Sequence, residues 1–200
     1  MRLSSCLLLV GLLSSCLAHA QGVPTPQHVA PVVSDSTCSI NCEDPGYRLM
    51  TQVIDGETIT REYIIHVPSG YQEGDNLPLV IVYHGFGGCA YYMPDETSGL
   101  NDLADEENFF VAYPQAAYRP AKEDTYWEPG FNGGESIYLD DIFFSEQLIE
   151  HIDEEFSLDL TRVYAAGYSN GGMLTYSLAC LRGDLFAGVC VMSGALLDGM

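Results

Sequence analysis

The stretch Val163-Tyr164-Ala165-Ala166-Gly167-Tyr168-Ser169-Asn170-Gly171-Gly172-Met173-Leu174 decides how this chain folds. Its first four residues are a short, apolar, partly β-branched run suited to a buried strand. After the glycines, Met173, Leu174, Leu178 and Leu181 recur at helical spacing. Between the two, residues 167–171 fit the pattern G-x-S-x-G. A serine at so abrupt a strand-to-helix corner has its hydroxyl lifted clear of the backbone. Glycines flank it because a larger side chain at 167 or 171 would collide as the helix folds back over the strand. The pattern is short enough to arise by chance, with Ser169 then merely capping a helix. Its setting in the chain has to carry the argument.

That setting starts with Leu77-Pro78-Leu79-Val80-Ile81-Val82-Tyr83, which stops at His84-Gly85-Phe86-Gly87-Gly88. A strand apolar on every face belongs in the middle of a parallel sheet covered on both sides. Phe109 to Pro114 reads as another buried strand, closed by proline. Asp140 to Phe156 reads as a helix with an apolar stripe of Ile142, Leu148 or Ile149, Ile152 and Phe156. Asp140 and Asp141 stand at its start, where negative charge suits the helix dipole. Gly188 to Ser193 is a further strand. In front, Tyr47–Val53 and Glu62–Val67 are separated by Asp55-Gly56-Glu57, a hairpin signal. Strands alternating with helices specify an α/β architecture, a mostly parallel sheet with helices on both faces. The order matches the first two-thirds of an α/β-hydrolase.

In that fold the serine is a nucleophile, and the glycine-rich loop after the earlier strand supplies half of the oxyanion hole. The donors here would be the backbone N–H groups of Phe86 and Asn170, with His84, Gly85, Gly87 and Gly88 shaping the loop. Losing one such donor costs about 3 kcal/mol of transition-state stabilisation. Asp140-Asp141-Ile142-Phe143-Phe144 and Thr161-Arg162-Val163-Tyr164, leading into Gly167–Met173 and Leu178-Ala179-Cys180, make the likeness more specific. From about Tyr47 onward the chain resembles the esterase family that contains secreted polyhydroxybutyrate depolymerases and feruloyl esterases. The resemblance implies a secreted serine esterase, needing no cofactor, that cleaves polymer-linked carboxylic esters through an acyl-enzyme. It does not choose the polymer.

One departure stands out. In this fold the triad runs Ser, then Asp or Glu, then His along the chain, yet no histidine follows Ser169. His19, His28, His66, His84 and His151 all precede it. His84 belongs to the glycine loop, His66 to an early strand, and His151 to the polar side of a helix among Glu150, Glu154 and Glu155. Asp198 lies too close behind the last strand to be the triad acid. Losing the base alone can cost on the order of a million-fold in kcat. The expectation is therefore an N-terminal portion of a longer enzyme whose acid and base lie beyond Met200. The competing accounts are a secreted binding protein that keeps the fold without catalysis, and an α/β-hydrolase peptidase. For a peptidase of the prolyl-oligopeptidase type, too few residues precede Tyr47 to build its propeller.

Met1 and Arg2 precede an apolar stretch, Leu3 to Leu17, and then Ala18-His19-Ala20, the pattern of a secretory signal cleaved after Ala20. The alternative is a lipoprotein site at Cys16. Residues 21–46, with Pro24, Pro26, Pro31 and Pro45, read as an extended tether, and residues 47–200 as the esterase domain. No later segment is apolar enough to span a bilayer. Five cysteines follow the signal: Cys38, Cys42, Cys89, Cys180 and Cys190. After export they are free to pair. Cys38 and Cys42 either bridge each other or one reaches the domain. Zinc is not expected, for want of a second closely spaced ligand pair. Lys plus Arg number 7 against 28 Asp plus Glu, a net charge of −21. That field disfavours nucleic acid and anionic membranes as partners. Residues 115–139 form a long connection rich in Pro, Gly and aromatics, among them Tyr126, Trp127, Phe131 and Tyr138. Such connections are usually functional. Trp127 resembles the family's tryptophan here, so the loop is expected to wall the acyl pocket, with Tyr126 or Trp127 stacking on substrate. The alternative is a loop held by its own aromatic cluster.

Overall fold

A computed structural model of the chain describes residues 38, 44–54, 57–119, 123–129 and 141–195. The secretory signal, most of the tether, Cys42, Asp55, Gly56, Phe131, Tyr138, Asp140 and Asp198 lie outside the described residues. Among those described, the order is β1 (Tyr47–Ile54), β2 (Glu57–His66), β3 (Leu77–Tyr83), a 3-10 turn (Ala90–Tyr92), α1 (Met93–Glu96), α2 (Leu100–Glu107) and β4 (Phe110–Pro114). There follow β5 (Tyr118–Arg119), β6 (Asp124–Thr125), α3 (Asp141–Phe156), β7 (Leu158–Tyr168), α4 (Asn170–Leu181) and β8 (Gly188–Met192).

The main sheet runs β1-β2-β4-β3-β7-β8. The first two strands are antiparallel to their neighbours, whereas β4, β3, β7 and β8 pair in parallel. β3 sits centrally, as its all-round apolar character requires. Alternate residues on it point to opposite faces. Leu79, Ile81 and Tyr83 join one core cluster with Phe144, Leu148 and Ile152 of α3 and Leu174 and Leu178 of α4. Val82 joins a second with Met93, Ala104, Val111 and Tyr113, against which Val80 also packs. Helices therefore cover both faces, the α/β-hydrolase arrangement. Each large side chain buried this way stabilises by about 1.5–3 kcal/mol relative to exposure.

Several elements differ from the sequence reading. β2 starts at Glu57 rather than Glu62, because Glu57–Arg61 is polar by sequence yet fully laddered against β1. Its Arg61 is buried, and the guanidinium meets the equally buried Asp141 at 2.9 Å and lies 3.7 Å over the Phe144 ring. Asp141 thus neutralises a strand arginine inside the core, beyond complementing a helix dipole. Within the 115–139 connection, β5 and β6 pair as a short antiparallel ladder. Of the pairings the sequence leaves open, the structure takes the one that reaches the domain: Cys38 bridges to Cys89, directly after the glycine loop. Cys180 and Cys190 are free and exposed. β8 ends the sheet among the described residues, with Val189 and Met192 exposed.

Candidate active site

Ser169 lies between β7 and α4 with φ 53° and ψ −114°. That combination falls outside the left-handed helical well as well as the usual regions, and a non-glycine residue held there is strained by about 1–3 kcal/mol. The elbow is over-determined by its surroundings. The Ser169 N–H donates to Met192 O at 2.9 Å at the end of β8, and Ser169 O accepts from Met173 N at 3.0 Å. Its side chain makes no capping hydrogen bond, so the simple helix-cap reading fails. A Cβ on Gly171 would run into the carbonyl oxygens of Tyr83 and His84, and one on Gly167 into Gly171 O and Thr175 Oγ1. Only glycine lets α4 begin this close to the ends of β3 and β7.

The same closeness brings the two motifs together. A Cβ placed on Gly85 would stand 3.5 Å from Ser169 Cβ and 3.1 Å from the Tyr168 ring. The serine, half-buried, therefore abuts the His84–Gly88 loop. No described residue accepts a hydrogen bond from the N–H of Phe86 or of Asn170. Asn170 opens α4, so the positive end of the helix dipole faces the serine. Such a corner can hold negative charge developing on an oxygen next to Ser169.

The glycine loop is tied down from below by the 115–129 segment. Gly87 N–H donates to Thr125 O at 2.8 Å, and Thr125 Oγ1 donates to Gly88 O at 3.1 Å. Gln115 Oε1 accepts from Ala90 N at 2.8 Å. The Trp127 indole N–H donates to His84 O at 2.9 Å. Asn170 and Trp127 exchange two bonds: Trp127 N–H to Asn170 Oδ1 at 2.7 Å, and Asn170 Nδ2 to Trp127 O at 3.0 Å. Glu128 N–H donates to Asp141 Oδ2 at 2.7 Å, which links the segment to the buried Arg61 pair.

The family model described as "Putative esterase" matches residues 58–198. The chain belongs to this esterase family. A probable feruloyl esterase C from Aspergillus terreus is 31% identical over 144 residues, covering 70% of this chain and 48% of that protein. Poly(3-hydroxyalkanoate) depolymerase C from Paucimonas lemoignei is 32% identical over 134 residues, covering 64% of this chain and 30% of its own. The solved acetyl xylan esterase from Aspergillus awamori superposes with a TM-score of 0.55 at 23% identity, covering 74% of this chain and 52% of that one; this shows a shared fold. The chain spans about half the length of the feruloyl esterases it matches.

Against this esterase frame, the sequence-predicted residues sort unevenly. Gly85 lies beside Ser169, Asn170 follows it at the start of α4, and Phe86 follows Gly85 in the glycine loop. Trp127 does not take the expected place. Its ring is 0% exposed, edge-on to Tyr83, against His84 and stacked on Phe144, which leaves no face for a substrate. Indole and backbone polar groups are instead spent on the two loops. Tyr126, half-buried, stacks on the Phe86 ring at 5.7 Å, and Phe86 is 54% exposed.

Among the described histidines, each has a structural partner. His84 is buried; its Nδ1–H donates to Gly85 O at 2.7 Å and its Nε2 accepts from Ala116 N at 3.0 Å. Burial pushes its pKa down from 6.5 to about 4, so it stays neutral near pH 7. His66 faces Asp105 at 3.1 Å, and His151 meets the edge of Tyr63. Sequence reasoning missed the supporting roles of the Asn170 side chain, Thr125, Gln115 and Arg61. No local pattern marks them, since each partner comes from a distant segment.

Proposed function

We propose that this chain carries the nucleophile and the oxyanion-binding corner of a secreted serine carboxylic-ester hydrolase. The observation that supports it best is Ser169, strained at the elbow and set against Gly85. Ser169 Oγ attacks the ester carbonyl; the N–H groups of Phe86 and Asn170 bind the oxyanion, held by the loop His84, Gly85, Gly87 and Gly88. The alcohol then leaves with a proton, and water releases the acid from the acyl-enzyme. The base that moves those protons is assigned to a histidine with an orienting carboxylate, other than the three described histidines. That assignment is motivated by the structural engagement of His66, His84 and His151. Tyr126, stacked with the exposed Phe86, is assigned to the acyl-side wall.

Relatives named as a feruloyl esterase and a poly(3-hydroxyalkanoate) depolymerase support polymer-linked esters as the substrate class. Residues 1–20 are assigned to export and 21–46 to a tether ahead of the esterase domain at 47–200. No helix among the described residues is long and apolar enough to cross a membrane. A second reading is a non-catalytic binding protein of the same fold, in which His66, His84 and His151 keep only the structural partners they have here.

Labelling the full-length protein with a fluorophosphonate, alongside feruloyl, acetyl-xylan and hydroxyalkanoate esters, separates the two. Labelling and turnover that vanish in Ser169→Ala are expected. Turnover that survives Ser169→Ala sinks the assignment, and binding of the polymer without labelling or turnover favours the second reading.

A further inference from the structure

The loops proposed to face the oxyanion come from segments far apart in sequence, and oxyanion binding depends on how they sit relative to one another. Rate is sensitive to such placement: a 1 Å displacement of a catalytic group can cost about 100-fold. A single buried residue bonds both loops. Trp127 donates its indole N–H to His84 O, the first residue of the glycine loop, at 2.9 Å. Through its own backbone it both donates to and accepts from the Asn170 side chain, at 2.7 and 3.0 Å. An asparagine amide is the one uncharged short side chain that offers a donor and an acceptor side by side, so it pairs with a peptide unit as another peptide would.

The brace is stiff at both ends. The Trp127 ring is fully enclosed by Tyr83, His84 and Phe144. The next residue, Glu128, hands its N–H to Asp141, which is itself paired with Arg61 inside the core. Buried polar bonds of this kind hold a geometry because their alternative is an unsatisfied group.

We propose that Trp127 and the Asn170 side chain act as one positioning unit that sets the Asn170 N–H against the Phe86 N–H. Neither side chain touches substrate. The unit acts through the backbone, and its contribution appears in the transition state rather than in substrate binding. This rests on the assignment of Ser169 as nucleophile.

The test uses the full-length protein with p-nitrophenyl acetate, comparing Asn170→Ala, Asn170→Asp, Trp127→Phe and the Asn170→Ala/Trp127→Phe double variant. Trp127→Phe keeps an aromatic ring but removes the bond to His84 O. Asn170→Asp keeps an acceptor for Trp127 N–H but removes the donor to Trp127 O. Asn170→Ala and Trp127→Phe are each expected to lower kcat by about 10- to 100-fold with KM within about twofold. Affinity for a trifluoromethyl ketone, which forms an oxyanion on Ser169, should fall in parallel with kcat. Because the two side chains act as a unit, the double variant should lose no more than the worse single one. A merely structural role would lower the melting temperature without this split between kcat and KM or the parallel loss of inhibitor affinity. The proposal is overturned if kcat stays within twofold in the single variants, if KM rises at constant kcat, or if the losses multiply in the double variant. If Trp127→Phe does not fold, the two Asn170 variants decide by the same criteria of kcat, KM and inhibitor affinity. Ser169→Ala keeps the two ideas apart: persistent turnover there refutes the nucleophile itself, whereas loss there with unaffected Asn170 variants refutes only the brace.

Discussion

At the scale of single residues, Ser169 stores strain that no packing requirement of its own explains. Its φ of 53° and ψ of −114° suit glycine better than serine. Ser169→Gly is therefore expected to raise stability by about 1 kcal/mol in urea unfolding while removing the proposed nucleophile. Gly171 is the opposite case, since a Cβ there would overlap the main-chain oxygens of Tyr83 and His84, and backbone cannot swing aside. Gly171→Ala is expected to cost about 3 kcal/mol or to prevent folding, read as a lower urea midpoint or loss of soluble protein. These residues were legible in the sequence because elbow chemistry is local: strand, glycine, serine, glycine, helix within a dozen positions. Trp127 was legible as notable, but its role was not. What decides it is who surrounds the ring, and His84, Asn170 and Phe144 arrive from three separate elements.

Elements were read correctly where one physical cause dominated. Apolar on both faces, β3 is expected at the centre of the sheet, and it lies between β4 and β7. α3 was placed within one residue, at Asp141–Phe156, by its apolar stripe. The reading stops short on β2, whose Glu57–Arg61 is polar by sequence yet paired with β1, and on β7, where Leu158 pairs with Leu77 across a register shift. Arg61 is the instructive case. On a strand pattern it looks like a solvent-facing residue, but Asp141 and Gln52 meet it in the interior. A buried pair of this kind costs about 3–5 kcal/mol when one partner is removed, because the other charge is left behind. Asp141→Ala is expected to destabilise by about that amount in urea unfolding. The Arg61→Met/Asp141→Ala double variant should lose less than the sum of the single changes.

The whole molecule adds effects that no single element carries. With a net charge of −21 the folded chain repels itself, and acid relieves part of that repulsion as carboxylates take up protons. His84 works in the other direction. Its pKa in the folded protein is lowered by burial from 6.5 to about 4. Between those values the unfolded chain binds a proton that the folded one refuses. Stability from this source is complete above about pH 6.5 and is lost as pH falls toward 4, a change of about 3 kcal/mol. Comparing urea midpoints of the parent and His84→Gln from pH 7 to pH 4 isolates it. The parent is expected to lose the additional stability in that window, and an identical slope in both proteins would refute the shift. The Cys38–Cys89 bridge likewise belongs to this scale, since it fastens the start of the domain beside the glycine loop.

The amino-acid sequence alone determined the class of fold, the order of its main strands and helices, and Ser169 and the glycine loop as candidates. Those follow from periodicity, from steric demands on neighbouring residues and from motifs complete within a few positions. Only the tertiary structure decided that Trp127 is buried and bonded to His84 and Asn170, that Asp141 answers Arg61, that Cys38 pairs with Cys89 and that Ser169 abuts Gly85. Each of these is a meeting of segments distant along the chain. Such meetings depend on how sheet and helices pack in space, and no local pattern in a strand or loop encodes its far partner.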